Sequence, residues 1–153
     1  MGILEEKGIM ITGGASGIGR ATALEASAEG ARLVLCDVND AQGQALAEEI
    51  GDGATSVHCD VTDEASVEAA VAAAVEALGS LDGAFNCAGI LAALGNTGDV
   101  PLAEWQKVID VDLNGVYLCT KHQLAPMAAQ QSGSILNMAS AAGLIGWPGA
   151  GAY

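Results

Sequence analysis

The sequence predicts an α/β fold in which a doubly wound parallel sheet lies between two layers of helices. Three observations predict it. Short apolar runs of strand length alternate with helical stripes about five times along the chain. The apolar runs are continuous, as expected when both faces of a sheet are covered. Polar residues punctuate their carboxyl ends, at Thr12, Asp37, Asp60, Asn86 and Ser140. Right-handed crossovers between parallel strands then place helices on both sides. With 153 residues the chain is of single-domain size.

Each element has its own signal. Gly8–Thr12 is an apolar run that stops at glycines, and Gly17–Ala28 carries a helical stripe at Ile18, Ala21, Leu24 and Ala28. Arg32–Cys36 is a strand ending at Asp37, and Asp40–Ile50 reads as a helix. Thr55–Cys59 is a strand ending at Asp60. Asp63 can cap the next helix, where Val67, Val71, Val75 and Leu78 recur at helical spacing. Leu81–Cys87 is a strand that runs into Ala88 and Gly89. A helix starts at Asp99-Val100-Pro101, with Pro101 in its first turn, and runs to about Pro126. Ser134–Met138 is the last strand, followed by a loop rich in glycine and alanine to Tyr153.

Composition excludes several classes. Hydrophobic residues make up 51% and charged ones 16%, so the chain is not disordered. Five Lys and Arg against 19 Asp and Glu give a net charge of −14. Such a chain is repelled by a polyphosphate backbone and by anionic lipid, which argues against nucleic-acid and membrane partners. The most apolar helical stretch is interrupted by Glu68 and Glu76, and no signal peptide is visible at the start. Cys36, Cys59, Cys87 and Cys119 are far apart in apolar runs and read as reduced core thiols of a cytoplasmic protein. His58 and His122 have no partners at metal-ligand spacing, so no metal site is expected.

The first strand leads into Thr12-Gly13-Gly14-Ala15-Ser16-Gly17-Ile18-Gly19. The glycines permit a tight turn and a close approach of a bulky phosphate, and the helix that follows aims free N–H groups at that space. The spacing is G-x-x-x-G-x-G, one step longer than the common dinucleotide pattern. Asp37 falls 18 residues beyond Gly19, at the end of the second strand, where an acid can hold a ribose 2′-hydroxyl. A carboxylate there repels a 2′-phosphate, and no Arg or Lys adjoins Asp37. NAD is therefore expected over NADP. Arg20 is the nearest cation, and an exposed helix position suits it as well as a phosphate contact does.

Taken in order, these segments resemble the short-chain dehydrogenase/reductase family over nearly the whole chain. Thr12 to Gly19 is similar to the family's TGxxxGIG loop, which implies cofactor contacts from Gly13, Ser16, Gly17, Ile18 and Gly19. Asp60-Val61 matches the position that approaches the adenine ring. Asn86-Cys87-Ala88-Gly89 matches the NNAG-like motif, with Ala88 and Gly89 near the cofactor and Asn86 in a supporting role. Ser134 to Ser140 matches the strand ending in the catalytic serine, and Tyr153, thirteen residues after Ser140, falls where the catalytic tyrosine lies. The resemblance implies a Rossmann-like three-layer fold, lacking its last strands as given. It also implies hydride transfer between NAD and a secondary alcohol or ketone, and a homo-oligomer (dimer or tetramer).

By the same resemblance, Tyr153 exchanges the proton on the substrate oxygen and Ser140 polarises that oxygen. A free phenol has a pKa of about 10, and lowering it to near 7 takes about 4 kcal/mol. In the family a lysine four residues onward supplies much of this. No residue follows Tyr153 here, so the sequence is expected to be the amino-terminal part of a longer enzyme, inactive by itself, or else a non-catalytic dinucleotide-binding module. Asp112 stands where the family usually has asparagine, whose backbone carbonyl holds a water of the proton relay; Asp112 is kept as a catalytic candidate. Trp105, Val108, Leu113 and Val116 fit either a partner helix or packing on the parent sheet. Leu144, Ile145 and Trp147 are candidates for the near wall of the substrate pocket.

Overall fold

The structure is a computed structural model, and it describes residues 2–91 and 94–153. Five parallel strands form one sheet: β1 Gly8–Thr12, β2 Arg32–Asp37, β3 Ala54–His58, β4 Gly83–Asn86 and β5 Ser134–Asn137. Their spatial order is β3-β2-β1-β4-β5. The chain winds outward from β1 to β3, then returns to the other side of β1. The crevice that opens beyond the carboxyl ends of β1 and β4 is where such sheets bind ligands.

The side chains of the strands alternate between two cores. Met10, Val34, Cys36 and Ala84 face one way, onto Val67, Ala70, Val71 and Ala74 of α3 (Glu64–Leu78) and onto Cys119 and Met127. Ile11, Leu33, Leu35 and Phe85 face the other way, onto Ala23 and Ala26 of α1 (Gly17–Ala28) and Leu46 of α2 (Asp40–Ile50). This is the doubly wound arrangement expected from the sequence. Double burial holds for the three inner strands. The edge strands β3 and β5 are only partly covered, and Leu136 is 63% exposed.

Several boundaries differ from the sequence reading, for local reasons. Asp37 still pairs with His58, so β2 runs one residue longer than the apolar run. The strand expected from Leu81 starts at Gly83, because the Gln130 side chain takes the backbone of Leu81: its amide nitrogen donates to Leu81 O at 2.7 Å, and its carbonyl accepts from Leu81 N at 3.3 Å. The second helix spans Asp40–Ile50 as expected, with Asn39 capping it by accepting from Gln42 N–H at 3.1 Å. Asp63 caps α3 as expected, accepting from Ala65 N–H.

The long helix differs most. Pro101 is the extended residue before it, with ψ 140°, not part of its first turn. The helix then runs as α4 (Leu102–Val108), a π-helical segment (Ile109–Gly115) and α5 (Val116–Ala129), passing through Pro126. The π segment lies against the turn after β3. There Gly115 approaches Val61 so closely that an added Cβ would stand 2.8 Å from its Cγ2 and 3.2 Å from its carbonyl oxygen. Of the apolar residues left open between two faces, Val108 is buried and Val116 half-buried, while Leu113 is 61% exposed.

Candidate functional site

A cleft of about 440 Å³ opens at the carboxyl end of the sheet. Every strand end contributes to it: Gly13 and Ser16–Gly19 after β1, Asp37 and Val38 after β2, Cys59 and Val61 after β3, Cys87–Leu91 after β4, and Met138 after β5. Val111, Trp147 and Tyr153 complete the wall.

The glycines of the loop do three different jobs. Gly13 has a left-handed φ of 64°, and a Cβ there would lie 2.7 Å from Ala88 Cα, so only glycine lets the loop touch the turn after β4. Gly19 is buried, and its Cβ would meet Gly13 O at 2.1 Å; it lets α1 pack on the loop. Gly17 also has a left-handed φ (52°), but nothing lies within 4 Å of its Cβ position. Its bareness faces the open cleft, beside the free N–H groups of the first turn of α1. That space suits a phosphate.

Asp37 ties the loop to the second strand. Its Oδ2 accepts from Ala15 N–H and its Oδ1 from Asn39 N–H, both at 3.0 Å. The carboxylate is thus held rigidly while it lines the cleft. Neither Lys nor Arg is among the described lining residues. Arg20 points elsewhere: its guanidinium contacts both carboxylate oxygens of Glu49, at 2.9 and 2.7 Å.

Of the residues singled out from sequence, Gly13, Ser16, Gly17, Ile18, Gly19, Asp37, Val61, Ala88, Gly89 and Tyr153 line the cleft. Asp60 does not. Its carboxylate accepts from the Thr62 N–H at 2.9 Å and the Thr62 hydroxyl at 2.7 Å, and these bonds hold it below the usual carboxylate range. Its neighbours Cys59 and Val61 form the lining instead. Ser140 does not line the cleft either: its hydroxyl accepts from Ala142 N–H at 3.1 Å and starts a short 3₁₀ turn. Asp112 lies behind the Gly89–Ile90 wall, with its Oδ1 accepting from Ile90 N–H at 2.9 Å. Trp147 packs edge-on to Tyr153, ring centroids 6.0 Å apart, whereas Leu144 and Ile145 are exposed and outside the cleft.

Asn86 is buried beneath the site and does not line the cleft. Its amide exchanges hydrogen bonds with Gln123 of α5 (3.0 and 2.8 Å) and donates to Asn137 of β5 at 2.8 Å. Thr12 supports the neighbouring turn, its hydroxyl accepting from Cys87 N–H at 3.2 Å and Ala88 N–H at 3.4 Å. Gln123 and Thr12 were not read as site residues from the sequence, nor were the lining residues Val38, Ile90 and Met138. The signal for the last three was available: a bulky apolar residue one to four positions past a strand end, where nothing in the strand needs it.

The four cysteines are free. Burial pushes the Cys59 thiol up to about 12 and the Cys119 thiol up to about 11, and Cys36, buried close to both, is raised as well. These thiols are inert packing groups, even where Cys59 meets the cleft. His58 pairs with Asp40 and His122 with Glu64, and no cluster suited to a metal ion occurs among the described residues.

Comparison with known proteins agrees with this geometry. The short chain dehydrogenase family profile matches residues 7–153. A 2,5-dichloro-2,5-cyclohexadiene-1,4-diol dehydrogenase of Sphingobium indicum is 42% identical over the whole of this chain, which spans 62% of that enzyme. A 3-alpha-(or 20-beta)-hydroxysteroid dehydrogenase of Mycobacterium bovis is 43% identical over 95% of this chain and 55% of its own length. The crystal structure of a 3-ketoacyl-(acyl-carrier-protein) reductase from Brucella melitensis complexed with NADH superposes with a TM-score of 0.94 at 36% identity, over 98% of this chain and 64% of that one. The chain thus spans between 55% and 64% of the length of these relatives. The glycine loop, the acid clamped behind it, the strand order and the match over residues 7–153 lead to one conclusion: the chain belongs to the short-chain dehydrogenase family.

Proposed function

We propose that this chain forms the dinucleotide-binding part of an NAD-dependent oxidoreductase acting on a secondary alcohol or its ketone. The observation that carries the cofactor reading is the Asp37 carboxylate. It is fixed by Ala15 and Asn39 at the mouth of a cleft whose described lining has no cation. A fixed carboxylate accepts hydrogen bonds from a ribose diol and repels a 2′-phosphate. The bare Gly17 cradle and the N-terminus of α1 fit the pyrophosphate.

When bound, the nicotinamide supplies the hydride chemistry. The residues of the chain orient and exclude. Ile18 and Val38 offer apolar surface on the Asp37 side of the cleft, and Ile90, Leu91, Met138 and Trp147 on the other. Tyr153, among the lining residues, is the proton-exchanging group of this reading. Ser140 joins it by giving up its bond to Ala142. The relatives named above include dehydrogenases named for a cyclohexadiene diol and for hydroxysteroids, and the apolar wall of Leu91, Met138 and Trp147 suits an alicyclic substrate.

The reading further makes the protein a homo-oligomer, a dimer or tetramer. Leu102, Leu113, Tyr117 and Leu124, all more than half exposed on α4, the π segment and α5, support it. Free thiols suit a reducing compartment such as the cytoplasm. Calorimetric titration with NAD and NADP tests the central point: NAD is expected to bind tighter by at least about tenfold, and tighter NADP binding overturns the assignment.

A further inference from the structure

Asp112 occupies the middle of the π segment and is half-buried. Its two carboxyl oxygens have different surroundings. Oδ1 accepts from Ile90 N–H at 2.9 Å and lies 3.6 Å from where a Gly89 Cβ would be, directly behind the cleft wall. Oδ2 is fully buried, and no described residue donates to it. An ionised carboxylate so placed keeps its charge on a single hydrogen bond. Burying an ion with an empty acceptor costs far more than burying a neutral acid. A proton on Oδ2 removes the charge and leaves Oδ1 as a carbonyl-like acceptor for Ile90.

We propose that Asp112 is a positioning residue that works as a neutral, proton-bearing carboxyl group: it pins the Gly89–Ile90 wall of the cleft, and loss of its proton loosens that wall. Ionisable groups on the surrounding elements include Lys107, Asp110 and Tyr117 on its own helix, Cys87 after β4, Cys59 and Asp60 after β3, and Tyr153 in the cleft lining. Asp110 is engaged with Gln106 and Asn114. None of these groups displaces Asp112: burial raises its carboxyl above the usual carboxylate range, and only the Ile90 N–H opposes that. A raised folded-state value means the proton is held more tightly in the folded chain. The resulting stability is complete below the ordinary carboxylate value, and it is lost as pH rises through the folded-state value.

The inference deepens the dinucleotide reading, on which its importance for the site rests, but it can be tested without cofactor. Amide hydrogen exchange at Ile90 and the infrared band of a protonated carboxyl group are measured from about pH 4 to pH 8 in the protein and in Asp112→Asn. In the unsubstituted protein a protonated-carboxyl band absent from the Asn variant is expected to persist above the pH at which ordinary carboxylates have ionised. From the ordinary carboxylate value up to the pH at which the band disappears, exchange at Ile90 relative to the Asn variant should rise by up to about tenfold per pH unit, and above it should level off. Asp112→Leu, which lacks the acceptor, should show fast Ile90 exchange at every pH. Either of two results overturns the proposal: a band that vanishes with the ordinary carboxylates, or an exchange ratio that stays flat across the range. NAD titration of the same samples separates the two readings. If no sample binds NAD, the dinucleotide reading fails, while band and exchange still decide the state of Asp112.

Discussion

Gly17 and Gly19 stand two residues apart, yet substituting them should have different consequences. At Gly19 a methyl group would lie 2.1 Å from the Gly13 carbonyl, with backbone on the far side and no room to yield. Gly19→Ala should therefore destabilise the fold by about 2–3 kcal/mol or more, read as a lowered midpoint of chemical denaturation. At Gly17 the methyl group meets open space, and the cost is the left-handed backbone alone, about 1 kcal/mol. Gly17→Ala should keep the fold and weaken NAD binding instead. Equal stability losses in the two variants would contradict this division. Asp37→Ala should lower NAD affinity by roughly tenfold or more in calorimetry, since hydrogen bonds to a charged group are worth about 1.5–3 kcal/mol. Most of these residues were legible in the sequence because a glycine turn and an acid at fixed spacing leave few other uses. The orientations of Asp60 and Ser140 were not legible. Both side chains turn back onto a backbone N–H two residues ahead, a local competition that a motif does not reveal.

Between β4 and α5 the buried amides of Asn86 and Gln123 form a reciprocal polar clasp in an otherwise apolar layer, and Asn86 also donates to the exposed Asn137 of β5. Gln123→Leu leaves the Asn86 carbonyl and part of its NH₂ group without the partner they have now, and should cost about 1–3 kcal/mol. Replacing both Asn86 and Gln123 by Leu should cost less than the two single changes added together, because the second removes a group the first had stranded. A double-mutant cycle on unfolding free energies measures this, and strict additivity would refute the clasp. From sequence, Gln123 was one more residue on a long helix. The helix itself was legible through its apolar spacing, but the widened turn at Ile109–Gly115 was not. It sits where the helix backbone meets Val61, a contact that exists only after the sheet has formed. The strand ends were legible to within two residues, and the misplaced start of β4 reflects a side chain forty-nine positions away, Gln130, on the backbone of Leu81.

Over the whole molecule the carboxylates set opposite pH limits. Hydrogen bonds from Thr62 hold Asp60 low, and the Gly8 N–H bond holds Asp82 low. Stability from these two is present above about pH 4 and is lost as pH falls through their folded values. Asp112 is raised by burial and works in the reverse direction, its contribution fading as pH climbs. The plot of thermal midpoint against pH should therefore fall on the acid side, more gently in Asp82→Asn, and Asp112→Asn should gain on the parent protein only toward neutral and alkaline pH. A common, parallel shift of all three curves would show that these groups do not govern the profile. That the described lining of the cleft holds no lysine or arginine has a last consequence. Its hold on an anionic dinucleotide depends on backbone dipoles at close range, while a net charge of −14 opposes the approach from a distance. Added electrolyte damps the long-range repulsion and leaves the short-range grip nearly intact. Capture of the cofactor should accordingly become faster as the ionic strength rises, the reverse of what a cationic pocket would do.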